Sequence, residues 1–242
     1  MKAMQKRLKT IVTCLLIFAG VQIHAQITIQ GFTLTTEANS TKYKLPGKQF
    51  YPLYVPSGSE FMDDKWQLGY VILENKDRYD SLRLKFNTYK NEVICLHNRS
   101  MSMIELDKNV IKEFGFYSVI DNLMSFQKLQ RKDDPEDSHY FKMLYDGKLK
   151  IVILYQTIEK KVPAYRDKLG FMRNTSFEMR TDYYLIFPGN DFEKFKLKRT
   201  PFLNLFGVKK KEVRKVLRQN QIRLFHERDF IRAIGVIEKE LY

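Results

Sequence analysis

Cys95 and His97 are the first pair in this chain whose types and spacing could do covalent chemistry. Residues two apart on an extended segment share a face. The imidazole could then act as the base that a thiol nucleophile needs. No third group that would orient the ring is legible nearby. Val93-Ile94-Cys95-Leu96 also reads as a buried strand, where a free thiol behaves as a small apolar side chain. Metal ligation finds less support. Outside the first 25 residues the histidines are His97, His139 and His226, with none three or four residues from another. Asp133-Asp134-Pro135-Glu136-Asp137 concentrates carboxylates but lacks the alternating ligands, mid-loop Gly and closing Glu of an EF-hand loop, so it reads as a solvated loop. Asp63-Asp64 beside Trp66 places acids next to a large ring, as a sugar site would; a turn before a strand with a buried Trp is the plainer reading. Glycine-rich phosphate loops and Gly-x-Ser-x-Gly elbows are absent from the sequence. No catalytic residue, cofactor or metal ligand is assigned.

A basic cluster is better populated. Lys209, Lys210, Lys211, Arg214, Lys215 and Arg218 fall on or beside one expected helix, and Arg223, Arg228 and Arg232 follow. Two helices and a turn with this charge would indicate DNA binding in a cytoplasmic protein. The N-terminus argues for another compartment. Lys2, Lys6, Arg7 and Lys9 precede an apolar run from Ile11 to Val21, and Ile23-His24-Ala25 ends on a small residue before Gln26. That is the layout of a secretory signal peptide, cleaved between Ala25 and Gln26. The run is too short to cross a bilayer, which takes roughly 20 apolar residues. The expected product is an exported protein without a membrane span, located in the periplasm, on the outer-membrane surface or outside the cell.

The leader takes four basic residues and no acid from a chain of net charge +14, so residues 26–242 stay strongly basic. Behind an export signal this charge points away from nucleic acid and towards anionic envelope components, with plain solubility as the simpler alternative. The six cations at 209–218 are the candidate contact with such a surface. Cys95 is alone once the leader is removed, which excludes an intramolecular disulfide. Asn39-Ser40-Thr41, Asn98-Arg99-Ser100 and Asn174-Thr175-Ser176 match the glycosylation pattern, but a leader ending in Ala-Gln reads as bacterial, where the pattern carries no weight.

The positioning elements are mostly strands. Phe50 to Val55 reads as a strand between turns. Trp66–Leu73, Leu82–Phe86, Glu92–His97, Met101–Leu106 and Val110–Phe116 then form a meander with polar turns between them. Ser118 to Leu129 is open between a helix and a strand pair, and 131–138 reads as a charged loop. Asp146-Gly147 signals a tight type I′ hairpin between Tyr140–Tyr145 and Lys148–Thr157. Glu159 to Thr175 reads as a basic connector, followed by a hairpin through Pro188–Asp191. From Thr200 the pattern turns helical, with Thr200 as N-cap, Pro201 at the first position and Gly207 as C-cap. Lys210–Arg218 forms a second helix. His226–Leu241 forms a third, with Phe230, Ile234, Ile237 and Leu241 on one stripe.

Trp66-x-x-Gly69-x-Val71-x-Leu73, Phe86-Asn87-x-Tyr89, Phe141-x-x-Leu144-Tyr-x-Gly147-Lys148, Tyr183-Tyr184-Leu185 and the Lys-rich tail, together with the Ala25-Gln26 leader end, resemble uncharacterised exported proteins of the Bacteroidota. The resemblance implies the compartment and the strand-then-helix layout, and carries no activity or functional residue. The expected fold is mainly β of the α+β kind: an antiparallel meander forming a barrel or sandwich, with two or three C-terminal helices packed on it, as one domain over 26–242. The expected function is non-catalytic binding of an envelope component or protein, with the mouth or concave face of a barrel as the default pocket. An enzyme acting on envelope glycans or peptides is the alternative.

Overall fold

Alternating apolar residues and polar turns become strands along most of the chain. The computed structural model describes residues 32–34, 43–53, 57–97, 100–118, 122–132 and 134–242. Strands β1 (Phe32–Leu34) and β2 (Tyr43–Leu45) form a separate antiparallel pair. The remaining strands are β3 (Gly47–Gln49), β4 (Gln67–Leu73), β5 (Arg78–Asn87), β6 (Glu92–Leu96), β7 (Met103–Leu106), β8 (Ile111–Ser118), β9 (Asn122–Arg131), β10 (Asp134–Asp146), β11 (Lys150–Arg166), β12 (Met172–Phe187) and β13 (Asp191–Phe195). They build one open antiparallel sheet of eleven strands, ordered β13-β12-β11-β10-β9-β8-β4-β5-β6-β7-β3. Helices α1 (Arg199–Asn204), α2 (Lys210–Gln219) and α3 (Glu227–Leu241) follow, with a 3-10 turn at Gly207–Lys209.

The order contains two crossings, β3 beside β7 and β8 beside β4, and the second shapes the molecule. β8 pairs with β4 although β7 precedes it in the chain. In a flat sheet four strand spacings would separate β7 from β8, about 19 Å. Only Asp107–Val110 join them, and the Val110 N–H donates to the Asp107 carbonyl at 3.0 Å. A turn of that kind spans less than about 7 Å. The sheet must therefore curl until the β7 end meets β8.

Aromatic rings fill the inside of the curl. β5 sends Leu82, Leu84 and Phe86 inward on alternate positions. The Phe86 ring lies 5.2 Å from Phe114 on β8 and 5.3 Å from Phe126 on β9, centroid to centroid. Phe114 and Phe126 stack at 4.7 Å, and Tyr140 from β10 meets Phe114 edge-on at 5.1 Å. The Tyr140 hydroxyl donates to the Ile111 carbonyl, so the ring enters the core with its polar atom satisfied.

Further along β10–β12 the same sheet face takes the helices. Leu149, Ile151, Leu185 and Phe195 pack against Phe202, Val213, Leu217, Phe230, Ile234 and Ile237. Two polar ties fix this layer: the Tyr183 hydroxyl donates to Glu227 at 2.8 Å, and the Leu149 N–H donates to Glu238 at 3.0 Å. Phe141, Val152, Leu154, Tyr184 and Ile186 form a third cluster on the opposite face.

β11 and β12 outrun their neighbours. β10 pairs with β11 only as far as Ile153, whereas β11 and β12 stay paired from Lys150↔Ile186 out to Arg166↔Met172. They form a two-stranded arm. Its base is held by the Thr157 N–H to the Thr88 carbonyl at 3.0 Å, the Phe177 N–H to the Ser57 carbonyl at 2.9 Å, and stacking of Phe177 on Tyr89 at 4.7 Å. Gly58, at φ +85°, is required there: a Cβ would sit 2.1 Å from the Phe177 carbonyl oxygen.

Several expectations are corrected. Glu159–Thr175 is the arm, not a connector. In the segment open between a helix and a strand pair, Ser118 ends β8 and Asn122–Leu129 is strand, and β10 begins at Asp134 inside the expected charged loop. Among the described residues the Phe50–Val55 run forms no strand; pairing falls on Gly47–Gln49 instead. Asp146-Gly147 is not a type I′ turn, because the loop holds three residues, 147–149, and neither Asp146 nor Gly147 has positive φ. Gly147 leaves room for the Glu238 carboxylate, which would have to shift from a Cβ placed 2.3 Å away. The first helix takes Lys198 as N-cap, so Thr200 and Pro201 lie inside its first turn, and Gly207 opens the 3-10 turn. Ala25, Gln26 and the leader lie outside the described residues.

The ring cluster gives a direct test. Phe114→Ala should cost about 3–5 kcal/mol, the range for removing a buried ring. Phe225→Ala, at a ring 71% exposed, should stay within about 0.5 kcal/mol. Urea unfolding of both variants measures the contrast.

Candidate functional site

The basic cluster divides into two groups. Lys209 is half-buried; its ammonium donates to the Leu241 carbonyl at 3.3 Å and lies 4.1 Å from the Tyr242 ring centroid. Lys210 donates to the Asn204 side-chain carbonyl. These two cations secure the ends of the helical layer. Lys211, Arg214, Lys215 and Arg218 are exposed. Their spacing along α2 is i, i+3, i+4 and i+7, which places them on one face. Val213, Val216 and Leu217 take the buried face against the third helix and the sheet.

None of the four exposed cations forms an ion pair among the described residues. Glu212 is the one acid in the first turn of α2. A cation near a helix N-terminus opposes the macrodipole, so Lys211 stands where helix stability alone would favour an acid. The 99% exposed Val208 directly precedes this stripe. The arrangement can offer four donors in one plane to an anionic surface.

Elsewhere the sequence-derived candidates have structural duties. Cys95 is buried, its thiol pushed up to about 12 by burial, so the thiolate a nucleophile requires is disfavoured. Its sulfur approaches the Leu96 carbonyl at 3.8 Å, while the His97 ring contacts the Ser100 hydroxyl at 2.8 Å. Asp63 accepts from the Lys65 N–H and the Gln67 amide, and Asp64 accepts from Ser59. Trp66 packs against the Phe50, Phe61 and Ile94 cluster under the Lys85 ammonium. No group of three or more His, Cys, Asp and Glu suited to a metal ion occurs among the described residues.

The concave face of the curl is not a pocket, because Phe86, Phe114, Phe116, Phe126 and Tyr140 fill it. An open hollow of about 830 Å³ lies outside it, between β12, β13 and the start of α1. Lys194 and Asp182, paired at 2.7 Å, both border it, and the Tyr183 hydroxyl is engaged by Glu227. Lys194 and Asp182 thus neutralise each other at its border.

Buried polar groups pin loops to the sheet. Glu60 accepts from the Leu53 N–H and the Asn87 amide, each at 2.9 Å. The Thr88 and Thr157 hydroxyls share a bond at 2.7 Å. Sequence patterning misses the arm, although the Gly170 turn between Val162-Pro-Ala-Tyr165 and Phe171-Met172 is a signal for it. Comparison with family models, curated proteins and solved structures returned no match.

Glu92 supplies a pH test. Burial, then the Glu105 charge, hold its carboxyl above the ordinary carboxylate range. The Lys48 ammonium, 2.7 Å from Glu105, answers only part of that repulsion. The folded state thus binds the Glu92 proton more tightly than the unfolded chain does. Its contribution to stability is fully present at low pH, and is lost as pH rises through the ordinary carboxylate value towards the raised folded one. Glu92→Gln should melt higher than the parent at neutral pH, and the difference should shrink below about pH 4. Thermal melts across pH decide it; a constant offset would contradict the assignment.

Proposed function

We propose that this chain is an exported, non-catalytic binding protein of the cell envelope, contacting an anionic envelope component through the exposed cation face of α2. One observation carries the reading: Lys211, Arg214, Lys215 and Arg218 share one exposed helix face without an acidic partner among the described residues. The leader supports the compartment. The excess of basic residues, of which the leader holds only four of the net +14, supports an anionic partner. Each basic residue near an anionic lipid surface contributes on the order of 1 kcal/mol, and the attraction weakens as salt shortens the screening length.

Co-sedimentation of the purified protein with phosphatidylglycerol-containing vesicles, at low and at high salt, tests this. The protein should bind at low salt and dissociate at high salt. Lys211→Gln, Arg214→Gln, Lys215→Gln and Arg218→Gln together should weaken binding at least about tenfold. The same loss of charge at the exposed Lys65, Lys76, Arg83 and Lys112 should matter far less. Equal losses in the two variants would reduce the effect to net charge and overturn the α2 assignment. No binding at low salt would refute the reading.

A further inference from the structure

We propose that the tip of the β11–β12 arm is a lipid-inserting element, in which Leu169, Phe171 and Met172 enter the headgroup–acyl boundary of an anionic bilayer. The inference is independent of the α2 reading, because another part of the molecule carries it. These three large apolar side chains fall within four residues, and each is more than half exposed: Leu169 64%, Phe171 58% and Met172 61%. A scattered exposed apolar residue needs no explanation. Three at the end of a projecting hairpin, away from both the curl and the helices, form a convex apolar point.

The turn is built around one carboxylate. The Asp167 side chain is fully buried within it. Its Oδ1 accepts from the Leu169 and Phe171 N–H groups, both at 2.9 Å, and its Oδ2 accepts from the Arg173 Nε at 2.9 Å. The Asp167 N–H donates to the Phe171 carbonyl, and the Gly170 N–H donates to the Asp167 carbonyl. Gly170, at φ +83°, supplies the left-handed turn. The N–H groups of Asp167, Leu169, Gly170 and Phe171 are thus satisfied within the turn, which lowers the cost of placing it in a poorly hydrated layer. A turn whose shape is set beforehand also loses little conformational freedom on docking.

Charge selects the occupant. Arg166 and Lys168 flank the apolar residues, are exposed, and form no ion pair among the described residues. From 159 to 180 the arm carries six basic side chains against three acidic ones. Apolar side chains at a point with cations behind them match acyl chains beneath anionic headgroups. A convex point fits a deformable lipid layer, whereas a folded protein would need a complementary pocket. The tip and α2 lie towards opposite ends of β11. Sixteen residue steps of about 3.3 Å place Arg166 about 50 Å from Lys150, near which the helices pack, so each contact can be removed without touching the other.

The test uses Phe171→Trp in the full chain, with the parent, which carries only Trp66, as control. With anionic vesicles the added indole emission should shift to the blue and be quenched by lipids brominated in their acyl chains, while the parent signal stays constant. Leu169→Ser, Phe171→Ser and Met172→Ser together should weaken vesicle binding at least about tenfold and leave the melting temperature unchanged. Arg166→Gln with Lys168→Gln should reduce the preference for anionic over neutral vesicles. An introduced indole that stays solvent-exposed on bound vesicles overturns the inference, as does a triple variant that binds like the parent. Shielding of that indole by an envelope protein and not by lipid overturns it too. If the triple serine variant binds like the parent while the α2 variant loses binding, the tip fails and the helix reading stands. The reverse pattern sinks the helix reading alone.

Discussion

The four-residue connection between β7 and β8 is the constraint on which the rest of the molecule depends. It joins strands that lie four places apart in the sheet, so the sheet cannot stay flat. Curling brings β5 over β8, β9 and β10, and the enclosed space must be filled without voids. Phe86, Phe114, Phe126 and Tyr140 do so with stacked and edge-on contacts. A curl packed this way has no interior left for a ligand.

The second consequence concerns β11. Its first residues sit under the helices, its middle lies against the curl through Tyr155 and Thr157, and its last third runs free with β12. One strand therefore crosses both cores before it becomes the arm. The position of the tip is inherited from core packing, with the Thr88–Thr157 bond and the Tyr89–Phe177 stack holding its base. The helical layer is fixed to the other end of the same strand through Leu149 and Glu238. Neither surface belongs to a loose appendage.

Strand identity is legible wherever one face is buried and the other wet. Leu82-Arg-Leu-Lys-Phe86 alternates because every second side chain enters the curl. The second and third helices are legible for the equivalent reason: Val213, Val216 and Leu217, and then Phe230, Ile234 and Ile237, return at helical spacing to one packing face. The arm is not legible, because both of its faces are exposed and no burial imposes alternation on Glu159-Lys-Lys or Asn174-Thr-Ser. Gly147 misleads for another reason. Asp-Gly favours a two-residue turn locally, yet here the Gly makes way for a carboxylate 91 positions later in the chain, a contact that no local pattern contains. The cations of α2 are legible as a cluster. Their division into two tethers and four free donors depends on Leu241, Tyr242 and Asn204, which only the folded chain brings near.

The separation of the two surfaces has a mechanical consequence. A two-stranded arm standing alone in water is marginal, since it buries little of either face. This one gains its order at both ends, from the core at its base and from the Asp167 carboxylate at its tip. Between them the exposed strands carry charged pairs such as Lys160–Glu178 at 2.7 Å, a solvated contact worth little to stability. Lys and Pro163 along the open edges instead discourage further strand addition. An arm stiffened at its ends and defended along its edges is suited to hold a point away from a body. The body end presents cations and the arm end presents apolar side chains with cations behind them. One continuous strand pair sets two surfaces of unlike chemistry about 50 Å apart, and neither needs a change in the fold to be exposed.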